Sequence, residues 1–246
     1  MRDAIKKVAE ILKESHHAIA FTGAGASTES GIPDFRGPGG LWKQYKAEEI
    51  ASRWALENNT EDFFQFYRMR LHAMKDIKPN RVHYALAEME KMGIIKAVIT
   101  QNIDGLHKKA GSGVVYEIHG NIREAYCDRC GRKYPADVLL SEDIPRCPAC
   151  GGIIRPNVVL FGEGLPQDQW IGAIREAEKA DVVLSIGSSL TVYPAALIPI
   201  TVKQAGGTLI IINLEETGYD SMADIVIHGK AGDILEAILE ELKKTT

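Results

Sequence analysis

The sequence predicts an α/β fold in which helices cover both faces of a parallel sheet, and three features of the chain indicate it. Short apolar runs that read as buried strands recur along nearly the whole chain. Helical patterns separate them, and strands that are apolar on both faces are typical of a covered parallel sheet. One polar, cysteine-bearing segment, 127–152, interrupts this alternation. We therefore expect a Rossmann-like doubly wound sheet with a smaller inserted domain.

The predicted elements follow one another in a simple order. An amphipathic helix covers 1–15, a second helix covers 81–92, and a closing helix covers 231–244. The predicted strands are apolar runs at 17–22, 95–100, 181–186, 208–213 and 224–228, and a further apolar stretch covers 114–118. We expect a large domain made of 1–35, 80–120 and 155–246, and a small domain made of 38–78 and 121–154.

The bulk composition narrows the class of protein. The chain has 246 residues, of which 45% are hydrophobic and 25% charged, and its net charge is −4. These values are ordinary for a globular protein and give no reason to expect binding to nucleic acid or membranes. No apolar run has the length of a membrane span, and the charged N-terminus is unlike a signal peptide. We expect a cytoplasmic protein, and the oligomeric state stays open.

Four cysteines form two close pairs, Cys127-x2-Cys130 and Cys147-x2-Cys150, with 16 residues between the pairs. This spacing is typical of a zinc site with four thiolate ligands, and a cytoplasmic location favours a metal over disulfides. Four protein ligands leave no open position for catalysis, so the predicted zinc is structural. The alternatives are a disulfide and a nucleic-acid-binding ribbon. Acidic neighbours argue against the ribbon: Asp128, Asp137, Glu142 and Asp143.

A glycine-rich turn, Gly23-Ala24-Gly25, directly follows the first predicted strand. Such a turn lets the backbone approach a pyrophosphate at a helix N-terminus. The usual third glycine is absent and Ser27 follows instead, so a purely structural turn is the alternative. The segment 31–40 is rich in Gly and Pro around Asp34-Phe35-Arg36, which is typical of a mobile loop that orders over a ligand.

A polar cluster, Gln101-Asn102-Ile103-Asp104, stands at the end of the strand 95–100. Open α/β sheets bind their ligands at this end of the strands. A carboxamide and a carboxylate there could hold a ribose and an amide, although helix capping is the alternative. His119 ends the next apolar stretch, and a lone histidine is more often structural than a base. Its ordinary pKa of about 6.5 would leave it largely neutral at pH 7.

In this order the motifs resemble those of the sirtuins, the NAD-dependent protein-lysine deacylases. The resemblance runs from about Ala18 to Asp233 and includes Pro33-Asp34-Phe35-Arg36-Gly37 and Gly187-Ser188-Ser189. It implies that His119 is the base and that Asn102 and Asp104 orient the reacting groups. It also implies a set of NAD contacts: Gly23, Ala24, Gly25, Ser27, Asp34, Phe35, Arg36, Trp42, Gln101, Asn102, Ile103, Asp104, Gly187, Ser188, Ser189, Asn213, Leu214, Glu215 and Ala231.

The reaction that the resemblance implies needs no serine or cysteine nucleophile. The acyl oxygen of an acylated lysine attacks C1′ of the nicotinamide ribose and expels nicotinamide. His119 then helps to deprotonate a ribose hydroxyl, and the products are free lysine and O-acyl-ADP-ribose. Acylated-lysine proteins or peptides are the implied partners. Two other functions stay open, mono-ADP-ribosyl transfer to protein and a catalytically silent NAD-binding scaffold.

An amphipathic helix is predicted at 61–76, with Phe63, Tyr67, Arg70 and Met74 on one stripe. Arg70 is the one charge centred on this apolar face, and a buried guanidinium needs an anion or a dense set of acceptors. The alternatives are that Arg70 extends to the surface, or that it pairs with an internal carboxylate.

Tyr67-x-x-Arg70 resembles the pair by which one sirtuin class recognises the carboxylate of succinyl- or malonyl-lysine. That class has a small residue sixteen positions before the tyrosine, and here the position is Ala51. The resemblance therefore implies desuccinylation and demalonylation beside deacetylation. Two segments resemble those that enclose the peptide, and they contribute Phe161, Gly162, Glu163 and Val192. Several sirtuins of this class have a tryptophan where this chain has Leu160.

Overall fold

Two β-sheets organise the chain in the computed structural model, which describes residues 1–37, 40–141 and 143–244. The larger sheet has six parallel strands in the order β3-β2-β1-β7-β8-β9. They are β1 (Ala18–Thr22), β2 (Ile95–Thr100), β3 (Val115–Glu117), β7 (Val182–Ile186), β8 (Thr208–Asn213) and β9 (Ile225–His228). The smaller sheet is antiparallel, in the order β5-β4-β6, with β4 (Gly120–Cys127), β5 (Lys133–Pro135) and β6 (Ile154–Val158). The predicted fold class is confirmed.

Helices cover both faces of the large sheet because its strands are apolar on both sides. In β1, Ala20 packs against one core cluster and Ile19 against the other, since successive side chains of a strand point to opposite faces. The first face is covered by α1 (Arg2–Glu14), α5 (Arg81–Lys91) and α9 (Ala231–Lys243). The second is covered by α7 (Gln167–Lys179) and α8 (Leu197–Gln204). The short helix α6 (Leu106–Ala110) joins β2 to β3.

A third core cluster surrounds the small sheet. Phe63 and Phe64 pack there with Leu139 of a 3₁₀ turn, and Cys127 and Cys147 belong to the same cluster. The helices of this cluster are α2 (Ala47–Ile50), α3 (Arg53–Asn58) and α4 (Thr60–Met74). The proposed boundaries between a large and a small domain stay a prediction.

The strand order of the large sheet reverses between β1 and β7. The chain passes from β1 to β2 on one side of β1, and β7 pairs with β1 on the other side. Connections that leave in opposite directions open a crevice at the carboxyl ends of these strands, where doubly wound proteins bind their ligands.

The loops that follow β1 and β7 touch through their backbones at this crevice. The amide of Gly25 donates a hydrogen bond of 2.9 Å to the carbonyl of Gly187. A Cβ on Gly25 would lie 2.7 Å from the Cα of Gly187, and a Cβ on Gly23 would lie 2.7 Å from the oxygen of Gly187. Gly187 itself has φ +60. The glycines are therefore needed for contact between the two loops. This is a second role beside the close approach of a ligand that the sequence predicts.

The predicted mobile loop at 31–40 includes Pro38 and Gly39, which lie outside the described residues. Its described part is tied to the following turn, because the amides of Leu41 and Trp42 donate to the carbonyls of Asp34 and Phe35. The mobility of this loop stays a prediction. None of the helices in the described residues combines the length and the apolarity that a membrane span requires.

The loop contact predicts a large difference between two glycine substitutions. Gly187→Ala places a methyl group 2.4 Å from the backbone nitrogen of Ala26, whereas Gly206, with φ +92, has no atom within 4 Å of its Cβ position. Gly206→Ala should lower the free energy of unfolding by about 1 kcal/mol through backbone strain alone. Gly187→Ala should lower it by about 1–3 kcal/mol more, because packed loops must separate. Urea denaturation measures both, and equal costs would contradict the contact.

Candidate active site

A cavity of about 570 Å³ opens at the carboxyl ends of the parallel strands. Its volume is within the range of small-molecule sites. The loops after β1, β2, β7 and β8 line it, together with α4, the start of α9 and the segment 158–163. Every residue that the sequence predicted for the cofactor, the reaction and the substrate lines this cavity. The four cysteines do not.

Asn102 is held by the loop after β1. Its Nδ2 donates to the carbonyl of Gly23 and to Oγ of Ser27, each at 3.0 Å. Ser27 in turn donates to Oδ2 of Asp104 at 2.7 Å. Because both amide hydrogens of Asn102 are used, its orientation is set, and its Oδ1, which accepts no bond from the described residues, stays available to a ligand.

Asp104 has a structural contact in addition to its contact with Ser27. Its Oδ1 accepts the amide of Leu106 at 2.9 Å, at the start of α6. The N-cap of α6 is Gly105, so Asp104 binds the first helical amide from one position before the cap, and Asn102 does not cap the helix. Burial raises the pKa of Asp104, and the N–H of Leu106 and the hydroxyl of Ser27 oppose that rise.

His119 has one ring nitrogen, Nε2, that forms no hydrogen bond with the described residues. Its Nδ1 lies 3.1 Å from the carbonyl oxygen of Gln101, and a carbonyl can only accept. The hydrogen is therefore on Nδ1, and the neutral ring has an unprotonated Nε2. Burial lowers the pKa of His119, although the bond to Gln101 opposes this, so the ring is neutral at pH 7. Such a ring can accept a proton from a bound ligand.

Two buried histidines behind this cluster were missed by the sequence reasoning. His83 Nε2 lies 3.3 Å from Oγ of Ser27, and His107 Nε2 lies 2.9 Å from Oγ1 of Thr22. Their rings are 4.7 Å apart. A signal was available for His83, because it stands three residues after Asn80, the cap of α5, and forms a capping box with it. Desolvation lowers the pKa of His83 to about 4.

Arg70 lies inside the cavity wall and forms no ion pair with the described residues. It is 5% exposed, its Nη1 has no hydrogen-bond partner, and its guanidinium stands 5.0 Å from the centre of the Phe35 ring. No carboxylate among residues 1–37, 40–141 and 143–244 forms an ion pair with it. Extension to the surface is therefore wrong, and no described carboxylate lies within ion-pair distance, although the buried carboxylate of Asp104 interacts with the charge of Arg70. Tyr67 and Ala51 line the same cavity and are buried.

The outer wall of the cavity is aromatic. Phe35 stacks on Trp42 with ring centres 4.8 Å apart, and Phe161 meets Trp42 edge-on at 6.1 Å. Phe66, which the sequence reasoning did not select, packs 6.3 Å from Trp42. It could have been found by the pattern of α4, because it is four positions before Arg70. On the β8 side, Nδ2 of Asn213 donates to the carbonyl of Glu215 at 2.7 Å.

The cysteines form a separate cluster that fits a zinc ion. Their four Sγ atoms all lie within 4.8 Å of one another, with Cys127 and Cys150 at 3.4 Å and Cys130 and Cys147 at 3.8 Å. Four thiolates around one zinc ion stand about 3.8 Å apart, since each Zn–S bond is about 2.3 Å. A disulfide requires about 2.05 Å, so the disulfide alternative is wrong. Tyr134 adds a hydroxyl contact of 3.0 Å to Sγ of Cys147.

Burial of neutral His83 predicts a loss of stability in acid. Its folded pKa of about 4 is below the ordinary value of about 6.5. The unfolded chain therefore takes up a proton between pH 6.5 and pH 4 that the folded chain does not. His83 should lower the free energy of unfolding by about 2 kcal/mol between pH 7 and pH 5.

Urea denaturation at both pH values measures this loss. His83→Asn removes the titrating group, so the variant should lose about 2 kcal/mol less stability between pH 7 and pH 5 than the wild-type protein does. His72→Asn, which removes an exposed histidine of α4, is the control and should retain the wild-type loss. Identical losses in all three proteins would contradict the assignment.

Comparison with known proteins agrees with this geometry. The profile of the Sir2 family matches residues 23–194. An NAD-dependent protein deacetylase of Caldivirga maquilingensis is 54% identical over 97% of this chain and 93% of its own. An NAD-dependent protein deacylase of Pyrococcus furiosus is 50% identical over 97% of this chain and 98% of its own.

Solved structures give the same result. One from a study of the mechanism and regulation of Sir2 enzymes is 48% identical, covers 100% of both chains and has a TM-score of 0.93. A second, a Sir2 protein with deacetylated p53 peptide and 3′-O-acetyl-ADP-ribose, is 42% identical with a TM-score of 0.91, over 96% of this chain and 98% of that one. On the matched motifs, the cavity and the four-cysteine cluster, the chain belongs to the Sir2 family of NAD-dependent protein deacylases.

Proposed function

We propose that this NAD-dependent protein deacylase removes both acetyl groups and acidic acyl groups, such as succinyl and malonyl, from lysine side chains. The products are nicotinamide, free lysine and O-acyl-ADP-ribose. The observation that carries the reaction is the neutral His119 with a free Nε2 beside Asn102 and Asp104. The observation that carries the acyl range is the buried, unpaired Arg70.

Residues of the loops at the sheet edge would hold the cofactor. The Gly23–Ser27 loop lies at the switch point, and Ser188 and Ser189 follow β7 on the other side of it. Asn213 to Glu215 and Ala231 would hold the adenosine end, and Asp34, Phe35, Arg36 and Trp42 the nicotinamide end. When it is bound, NAD supplies the ribose that accepts the acyl group and the nicotinamide that leaves.

His119 would move the proton in this reaction. Its Nε2 accepts the proton of a ribose hydroxyl while the carbonyl of Gln101 keeps Nδ1 protonated and the ring in one orientation. Asn102 and Asp104, locked through Ser27, hold the reacting groups in line. Since burial lowers the pKa of His119, the base stays neutral further into acid than an exposed histidine would.

The acylated peptide would lie along two segments of the cavity wall. Phe161 to Glu163 and Val192 line the cavity, and an extended peptide can pair with such segments as an added strand. Recognition through the main chain gives modest sequence specificity. An acetyl-lysine peptide is supported as the substrate class by the related Sir2 structure that contains a deacetylated p53 peptide.

Nicotinamide release from NAD tests the reaction, with one peptide in unmodified, acetyl-lysine and succinyl-lysine forms. Release should require an acylated peptide and should yield O-acyl-ADP-ribose by mass analysis. His119→Asn should lower turnover about 10²–10⁴-fold, as for loss of a general base, while NAD still binds. ADP-ribose on the peptide instead would identify the chain as a transferase to protein, and NAD binding without turnover would identify a binding scaffold.

The acidic acyl range rests on the electrostatics of Arg70. Nη1 of the buried guanidinium has no hydrogen-bond partner, which is costly, and a carboxylate at the end of the acyl group would satisfy it. Burial raises the pKa of Tyr67, so its phenol stays protonated and can donate to the same carboxylate. Ala51 at the cavity wall leaves room for the longer acyl chain.

Replacing both polar groups should separate the two substrates. Tyr67→Phe with Arg70→Met should lower kcat/KM for the succinyl peptide about 10–100-fold, since hydrogen bonds to charged groups contribute about 1.5–3 kcal/mol. Turnover of the acetyl peptide should persist, because its acyl group has no charge. Arg68→Met is the matched control, since Arg68 is on the same helix and binds the carbonyls of Leu139 and Asp143. Unchanged succinyl turnover in the double variant would refute the acidic acyl range.

A further inference from the structure

The segment that carries Phe161 and Glu163 is held from behind by a buried arginine. Arg155, on β6, is 3% exposed. Its Nη2 donates to both carboxylate oxygens of Glu163, at 2.8 and 3.0 Å. Its guanidinium lies over the ring of Tyr126, 4.8 Å from the centre. This arginine therefore contacts the carboxylate of a residue that lines the active-site cavity.

Glu163 closes the turn of its own segment. Its carboxylate accepts the amide of Leu160 at 3.0 Å, and its amide donates to the carbonyl of Leu160 at 3.0 Å. The carboxylate is thus bound both to the turn and to Arg155. The conformation of the turn depends on that carboxylate staying where Arg155 holds it.

The same arginine is bound to the zinc knuckle. Nε of Arg155 lies 3.1 Å from Oδ1 of Asp128, which is one of the two residues between the ligands Cys127 and Cys130. The amide of Asp128 donates to the carbonyl of Ile153 at 2.9 Å, so its backbone position is set by the knuckle. One guanidinium therefore joins a carboxylate of the metal module to a carboxylate of the cavity wall.

A second arginine closes the group of charges. Nη1 of Arg53 lies 2.7 Å from Asp128 and 3.8 Å from Glu163. The amide of Arg53 also donates to the carbonyl of Phe161 at 3.1 Å, and the amide of Phe161 donates to Ala51 at 3.1 Å. Nε of Arg53 also donates to Glu57 at 2.7 Å, so two guanidiniums face three carboxylates and the cluster is not a site for an added anion. The cluster connects the cysteine module, through Asp128, to the cavity wall, through Glu163.

We propose that Asp128, Arg155 and Glu163 form a chain of charges that positions the peptide-binding segment, so that order at the zinc knuckle sets the affinity for the acylated peptide. Removal of the Asp128 charge leaves the buried Arg155 held by Glu163 alone, so the turn that Glu163 closes is no longer fixed to the knuckle and is free to shift. This inference rests on the proposed function, which assigns the segment 159–163 to the peptide. Asp128, Arg155 and Glu163 are positioning residues, because they act by holding the segment in place and not by contact with the reacting atoms.

Asp128→Asn is the first test, because it removes the charge and keeps the shape of the side chain. The KM for an acetyl-lysine peptide should rise about tenfold, while the KM for NAD stays within about twofold. Zinc content should stay at one ion per chain, which a colorimetric chelator measures after denaturation. Asp137→Asn is the matched control. It makes the same charge change in the same module, at an exposed residue that has no ion pair with the part of the chain that the structure describes.

The second test is Arg155→Lys, which keeps the positive charge and removes the planar fork that reaches both carboxylates. It should also raise the peptide KM and leave the NAD KM unchanged. Arg155→Lys tests the proposal by itself if Asp128→Asn loses zinc or does not fold. An unchanged peptide KM, an equal rise in both KM values, or the same rise in Asp137→Asn would overturn the inference. Absence of acyl-peptide turnover in the wild-type protein would instead refute the proposed function.

Discussion

The active site depends on a backbone contact that side chains could not make. Gly25 and Gly187 meet at the point where the strand order reverses, and the amide of one donates to the carbonyl of the other. A Cβ on either glycine would collide with the facing backbone. Because the loops after β1 and β7 are joined there, Asn102 can reach the carbonyl of Gly23 and Gln101 can reach Ser188. The polar groups of the cavity are thereby set in place by the packing of the sheet edge.

Desolvation then determines the protonation of the groups behind the cavity. His83 is fully buried and His119 is held against the carbonyl of Gln101, and burial lowers the pKa of both rings. In His119 the result is a neutral ring with one free nitrogen, as a base requires. In His83 the neutral ring supports Ser27, which holds Asn102 and Asp104. Burial of His83 thus lowers stability in acid, and burial of His119 keeps that ring neutral for proton transfer.

Two buried arginines illustrate two uses of the same charge. Arg155 is bound by Glu163 and Asp128 and fastens the cavity wall to the metal module. Arg70 forms no ion pair with the described residues and lies at the cavity beside Tyr67. The paired guanidinium has its counter-charge within the protein, whereas the unpaired one favours a counter-charge brought by the substrate. On this basis we propose Arg155 as a positioning residue and Arg70 as a determinant of acyl specificity.

The sequence by itself determined the fold class, the zinc ligands and a large part of the cavity lining, although not Phe66. Strands that are apolar on both faces can only be satisfied between two layers of helices, and paired cysteines at this spacing suit one zinc ion. Only the tertiary structure decided the partners of the buried polar groups. Arg155 bridges two carboxylates, one of them 8 positions away, and His83 supports Ser27, which is 56 positions away. Arg70 forms no ion pair with the described residues. Local patterns record which side chains are buried, but the neighbours of a buried charge depend on how distant elements pack.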